Sequence, residues 1–332
     1  MKQATMPPVP LSRAHVPEAC RLWNASELGE AFPMRERLLR QSWHDDPNLL
    51  QEGTLAVCGP NGELIAFVVA KLWQDGAGYP DAEGRFPADQ GWIHALLVAR
   101  DWRGRGIGGR LLELAEQALR ARGARTVDLG NDLHKRLFPG LPGAPEPDAA
   151  VRKWFEARGY APCGELRDMQ RSYGAGEPVA PYTPEGVTVR LATRADSARL
   201  TAFMARCFPG RWDYAARQYW QDGGTGREYV LMEEAGEIIG FCRINDGQSP
   251  VLAQNVYWAP LFASELGGVG PLGLDEACRG RGYGAKLVLA GISMLRRRGI
   301  SEIVIDATPI ADFYAKLGYA PWRRYILMRK AL

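Results

Sequence analysis

The segment Arg103-Gly104-Arg105-Gly106-Ile107-Gly108-Gly109 returns 176 residues later as Arg279-Gly280-Arg281-Gly282-Tyr283-Gly284-Ala285. Each copy follows an apolar run that predicts a strand, Trp92–Val98 and Val269–Leu274, and opens into a predicted helix, 110–122 and 286–298. Glycines let several backbone N–H groups converge at a helix start, where the dipole favours an anion. The bracketing arginines add fixed positive charge. The pattern predicts a loop that grips a phosphate, above all a pyrophosphate, and the chain carries it twice.

The repeat extends beyond the loop. Both helices run into Arg-Gly, at Arg122-Gly123 and Arg298-Gly299, a helix-stop signal. Predicted strands at 126–129 and 302–305 match at the same offset, which then falls to 159 for Phe155-Glu-Ala-Arg-Gly-Tyr160 and Tyr314-Ala-Lys-Leu-Gly-Tyr319. The first copy therefore holds 17 extra residues, within the Pro- and Gly-rich stretch 135–148 that predicts a long loop. Upstream, each copy predicts a hairpin, at 54–58 with 64–71 and at 228–233 with 237–244, preceded by helical sequence. A further strand is predicted at 187–192. A period this long means duplicated domains: residues 1–175 and 187–332, joined by a Pro- and Gly-rich linker at 176–186. Each is long enough to bury its own core.

Arginine is spread along the 332 residues rather than blocked, and net charge is +3, which argues against nucleic acid as the main partner. The six cysteines form no C-x-x-C pair, and no apolar run approaches a membrane span. All four histidines (15, 44, 94, 134) lie in the first copy, and no Cys/His cluster has metal-ligand spacing. These features predict a cytoplasmic protein with free thiols, no bound metal and no membrane partner.

Read literally, Gly104-x-Gly106-x-x-Gly109 is also the dinucleotide pattern, with Asp128 and Asp306 at about the distance of a ribose-binding acid. Topology speaks against it. A doubly wound fold places this motif on its first strand, whereas here it arrives late in each copy, and only 26 residues follow Asp306.

The order strand, helices, hairpin, strand, loop, helix, strand, helix, strand resembles the GNAT N-acetyltransferases. Their loop pattern, Arg/Gln-x-x-Gly-x-Gly/Ala, is met at Arg103–Gly108 and Arg279–Gly284. Their late aromatic-Tyr-x-Lys-x-Gly-aromatic signature stands at Phe313–Tyr319. The resemblance implies an α/β (α+β) fold of two tandem domains, each with a mixed, mostly antiparallel sheet flanked by helices. It implies acetyl-CoA as co-substrate, with the loops on its pyrophosphate and the strand ends Leu97-Val98 and Leu272-Gly273-Leu274 on the pantetheine arm. The family's usual Asn is replaced by Ala307.

By the same resemblance Tyr314 stands at the general-acid position, and Asp306 ends the neighbouring strand. In the first copy their counterparts are Phe155 and Gly130, neither of which handles a proton. The second copy is thus expected to transfer acetyl directly to a small-molecule primary amine, and the first to be catalytically degenerate. Tyr314 also suits a core aromatic, and Asp306 a helix cap. His94 suits a core or pocket histidine better than a base, and Glu265 is a weaker base candidate. The aromatic run Phe208–Tyr214 with Tyr219-Trp220, together with Arg211 and Asp213, suits either an exposed surface that stacks on a polar ring or a set of aromatics that packs the helices onto the sheet. Tandem GNAT proteins include bacterial glucosamine acetyltransferases and mycothiol synthases. The chain looks more like the glucosamine-acetylating group, with an aminoglycoside, a polyamine or a peptide N-terminus as open alternatives. Two other readings stay open: a non-catalytic acetyl-CoA sensor, and acetylation of a peptide or protein amine.

Overall fold

The computed structural model describes residues 6–74, 88–143, 148–174, 176–177 and 184–332. Residues 178–183 of the expected linker and 144–147 of the expected long loop lie outside the described residues.

The first copy runs through β1 (Val9–Pro10), α1 (Val16–Asn24), α2 (Glu27–Ala31), α3 (Glu36–Ser42), β2 (Leu55–Cys58) and β3 (Leu64–Leu72). It continues with β4 (Gln90–Val98), α4 (Ile107–Ala121), β5 (Thr126–Leu129), β6 (Leu141–Gly143), α5 (Ala149–Glu156) and β7 (Ala161–Ser172). The second repeats the plan with β8 (Val187–Leu191), α6 (Ser197–Cys207), α7 (Arg211–Gln221), β9 (Tyr229–Glu234) and β10 (Glu237–Asn245). It ends with β11 (Leu266–Leu274), α8 (Tyr283–Arg297), β12 (Glu302–Thr308), α9 (Ala311–Ala315) and β13 (Ala320–Ala331). The helices α4 and α8 begin inside the glycine motif, three residues before the predicted starts, because its last residues form their first turn.

The chain divides into two compact units that differ from the sequence copies in their last strands. One runs to Leu166 and adds Arg323–Leu332; the other is Arg167–Trp322. In the first unit the strand order is β1-β2-β3-β4-β5-β13, all antiparallel except the parallel pair β4·β5. In the second it is β8-β9-β10-β11-β12-β7, antiparallel except for β11·β12. Each copy's final strand therefore closes the sheet of the other unit.

Burial explains why these ends are held. Met169 and Tyr173, at the end of the first copy, enter the second unit's core with Ile303, Ile305 and Tyr319. Ile326 and Met328, at the end of the second, enter the first unit's core with Val127, Leu129 and Leu119. Arg329 adds a two-pronged ion pair to Asp128 on β5, at 2.6 and 2.9 Å. That contact gives Asp128 a structural role in place of the ribose contact of a dinucleotide site. The central strand β3 is buried along its whole length, as a strand covered on both faces must be. Helix α4 covers one stretch of this sheet through Leu111, Leu112, Ala115 and Leu119, a helical stripe.

Truncating a buried Met typically costs about 2–5 kcal/mol. Met328→Ala should therefore lower hydrogen-exchange protection in β4 and β5 and leave β11 and β12 unchanged, with Met169→Ala doing the reverse. Loss of protection in the copy that carries the mutation would contradict the exchange.

Candidate active site

The two glycine loops share one backbone path. Gly104 and Gly106 have φ of 74° and 81°, and Gly280 and Gly282 have 79° and 73°. A Cβ at any of these four would touch nothing, so left-handed backbone, not space, is what requires glycine. Gly106 and Gly282 are the N-caps of α4 and α8, and neither helix receives a side-chain cap. Their first-turn N–H groups thus face an exposed loop with no side-chain acceptor of their own, which suits a pyrophosphate. Arg103 rests on Glu27 at 3.1 and 2.7 Å, and Arg281 on Glu234 at 2.9 and 2.6 Å. Such exposed pairs are weak, so an entering phosphate can compete for both arginines.

Beside each loop a parallel strand pair parts. In the first unit the β4·β5 register ends at Ile93↔Leu129, while β4 stays paired to β3 as far as Val98. In the second, β11·β12 ends at Gly268↔Val304, while β11 stays paired to β10 as far as Leu274. The segments containing Leu97-Val98 and Leu272–Leu274 thereby offer one strand edge to an extended, amide-bearing arm. In the first unit this edge borders a cleft of about 880 Å³ that also takes in the loop glycines, Trp23, Phe138, Trp154 and Phe155. Arg158, stacked 3.7 Å over Trp154, is a further cation in that lining. Sequence reasoning passed it over, because an arginine in a helix-stop turn reads as a solvated charge.

Both β4 and β11 bulge at the same point of the repeat. His94 is the extra residue in β4, and Gly270-Pro271 stand opposite Arg243 in β11. In the second unit Asp306 faces this bulge: a Cβ on Gly270 would lie 3.9 Å from its Oδ1. Asp306 lies within β12 and does not cap α9, whose N-cap is Ile310, with the Ile310 N–H bonded to Thr308 Oγ1. Ala307 takes a left-handed φ of 47°, its N–H donated to buried Asp168 at 2.8 Å. Tyr314 is 5% exposed and packs edge-on against Phe313 and Tyr319. Burial, with the Cys242 thiol and the Asp306 carboxylate nearby, pushes its phenol well above the usual tyrosine value, so it keeps its proton. Glu265 is exposed and lies before the first residue of β11, upstream of the bulge.

Of the two readings of the α6 and α7 aromatics, packing onto the sheet is the one observed. Tyr214, Tyr219 and Asp213 are buried. The Tyr219 hydroxyl donates to Glu228 at 2.5 Å, and Asp213 pairs with Arg217 at 3.0 Å. Phe203, Phe208 and Trp212 cluster on Phe241, and the Phe208 ring fills the place where a Cβ on Gly273 would stand. These side chains fasten α6 and α7 to the sheet, because an aromatic stripe at helical spacing buries more area inward than outward.

In the first unit Phe155 lines the cleft, edge-on to Trp154 and Tyr160. The inserted stretch explains Gly130: a Cβ there would sit 2.6 Å from the Phe138 carbonyl oxygen. His94 lies in a buried charge cluster that the sequence did not reveal. Its Nδ1 is 3.1 Å from Asp132, which accepts from Lys71 Nζ at 2.7 Å, and Lys71 reaches Asp46 at 2.8 Å. Burial disfavours all these charges, yet the ammonium holds both carboxylates below their usual values, and they hold it above its own. Among the described residues no group of three or more acidic, His or Cys side chains is placed to hold a metal ion, and no helix is long and apolar enough to cross a membrane.

A family model described as the acetyltransferase (GNAT) family matches residues 17–137 and 198–319. The mycothiol acetyltransferase of Nocardia farcinica is 30% identical over 314 residues, covering 90% of this chain and 94% of that protein. Among solved structures, the glucosamine N-acetyltransferase region of a fungal multi-domain GH3 β-N-acetylglucosaminidase superposes with a TM-score of 0.82 at 21% identity, over 99% of this chain but only 38% of that one. A tandem GNAT protein from the clavulanic acid biosynthesis pathway superposes with a TM-score of 0.67 at 16% identity, over 98% of both chains. Matched in each copy around its loop and its parted strands, the chain belongs to the GNAT family of acetyltransferases, with two such domains in tandem.

Proposed function

We propose that this chain moves the acetyl group of acetyl-CoA to a primary amine of a small molecule, by direct transfer in the second unit. The observation that carries the reading is Asp306 facing the β11 bulge, with the protonated Tyr314 phenol within its electrostatic reach. Acetyl-CoA supplies the activated acyl group, and the uncapped start of α8 with Arg279 and Arg281 suits its pyrophosphate. Leu272, Gly273 and Leu274 offer the strand edge along which the pantetheine arm lies. Asp306 then orients the incoming ammonium and accepts one proton. The freed lone pair forms the N–C bond as the C–S bond breaks, Tyr314 gives a proton to the departing thiolate sulfur, and the nitrogen's second proton restores Tyr314. The curated relative's name supports a small-molecule acceptor. An amino sugar such as glucosamine is the acceptor we propose, on the likeness of Ile305–Thr308, Phe313-Tyr314 and the inserted Leu137–Pro142 to glucosamine-acetylating proteins.

Losing a general acid costs about 10²–10⁴ in rate. Tyr314→Phe should lower kcat on that scale with little change in acetyl-CoA affinity; an unchanged kcat would remove Tyr314 from the mechanism. A phenol held above its usual value must also stay protonated through alkaline assays. The kcat profile should therefore show no loss from Tyr314 ionisation up to about pH 10, the ordinary tyrosine value. A fall well below that pH, absent from Tyr314→Phe, would contradict the assignment.

The loop makes its own prediction. Forcing a Cβ into left-handed backbone costs about 1–2 kcal/mol, so Gly282→Ala should weaken acetyl-CoA binding at the second unit about tenfold by calorimetry. Unaltered affinity would mean that this loop does not hold the phosphates.

A further inference from the structure

The reading above assigns the first unit no reaction, yet that unit holds a large cleft with a buried imidazole in its lining. His94 Nδ1 lies 3.1 and 3.2 Å from the two Asp132 oxygens. A carboxylate only accepts, so the ring proton sits on Nδ1 and Nε2 carries a bare lone pair. That Nε2 is itself buried and has no hydrogen-bond partner among the described residues. The ring is also where a reacting amine would arrive. His94 is the bulged residue of β4, directly after the last β4·β5 pair, where the strands part.

The surroundings suit a base. Around the ring stand Asp132, Lys71 and Asp46, with His134 next to Asp46, and the backbone carbonyls of His134 and Lys135 accept from Lys71. Lys135 sends its own ammonium to the Asp45 carbonyl. Lys71 and His134 both act on Asp46, while Asp132, which faces the ring, is the carboxylate that would meet an imidazolium. Burial and Lys71 hold His94 below the usual histidine value, so the ring is neutral and able to take a proton at neutral pH.

The lining near this point is apolar. Phe138 abuts Gly130, stacks with Trp23 at 5.9 Å and meets Phe32 edge-on at 4.9 Å. All three aromatics border the cleft. Such walls favour an alkyl or aryl body over a polyhydroxylated one.

We propose that the first unit is a second acetyl-transfer centre, in which His94, oriented by Asp132, takes the proton of a primary amine carried on an apolar or aromatic body. The proposal rests on the acetyl-CoA reading given above. His94 Nε2 removes one proton from the ammonium and gives it up to water that enters the cleft after the product leaves. The nitrogen's lone pair forms the N–C bond as the C–S bond breaks, and a second proton leaves the nitrogen for the thiolate sulfur. Asp132 acts as a positioning residue that fixes the tautomer.

The test uses full-length Asp306→Asn/Tyr314→Phe, which lacks the second unit's proton-handling groups, in a thiol-release assay with acetyl-CoA and 2-phenylethylamine. Turnover should persist and should fall about 10²–10⁴-fold when His94→Gln is added, with acetyl-CoA affinity maintained. The kcat/KM profile should rise with pH through a pKa below the usual histidine value, as the imidazole loses its proton, and His94→Gln should lack that limb. Loss of all turnover in Asp306→Asn/Tyr314→Phe, or equal turnover with and without His94, overturns this proposal and leaves the second-unit reading standing. Absence of thiol release from the wild-type protein with both 2-phenylethylamine and glucosamine overturns both. Because His94→Gln disturbs a buried cluster, ¹⁵N NMR of the wild-type histidines gives an independent readout. An Nδ1–H tautomer at His94 whose Nε2 signal moves on adding the amine is expected; an Nε2–H tautomer or an indifferent Nε2 overturns the proposal.

Discussion

Everything functional in this chain depends on a parallel strand pair that is allowed to come apart. Strands β4 and β5, and again β11 and β12, share only a few residues of register before they diverge. Their other neighbours, β3 and β10, hold them in the sheet beyond that point. A row of backbone donors and acceptors is thereby left inside the sheet without a strand to satisfy it, an arrangement proteins keep only for a ligand or a partner. The glycine loop stands at the far end of the row and the bulge at the near end. One ligand can therefore be gripped by its phosphates and presented at its reactive end by the same strand.

The two units place chemistry at that near end in opposite ways. In the second, the bulge holds Gly270 and the neighbouring strand supplies Asp306. In the first, the bulge holds His94 and the neighbouring position is Gly130, which the Phe138 carbonyl leaves no room to replace. A carboxylate from one strand is thus exchanged for an imidazole from the other. The inserted stretch explains the change, because it fills the place an acid would need and puts Phe138 in the lining of the cleft.

Sequence reading recovered what local chemistry dictates. Left-handed glycines, helix stops and hairpin turns are written in consecutive residues, so the loops, α4, α8, β5 and both hairpins were legible to within a few positions. Partnership across long separations was not. Alternation of apolar residues tells which face of β7 or β13 is buried, but not which sheet each completes, and the exchange of last strands left no local mark. The charge cluster was hidden for the same reason. Asp46, Lys71 and Asp132 lie far apart along the chain, and each alone reads as a solvated charge. The aromatics of α6 and α7 left two readings open, since periodicity cannot tell a helix face that meets a sheet from one that meets a ligand.

The central question is where the acetyl group goes. The most direct measurement is mass spectrometry of full-length protein incubated with acetyl-CoA and a set of small amines, glucosamine among them, following free CoA and acetylated amine together. The two products should rise in equal amounts, with the acetyl group on nitrogen. Acetyl-CoA that binds and stays intact, or that is hydrolysed without any acetylated amine, would contradict acetyl transfer to an amine.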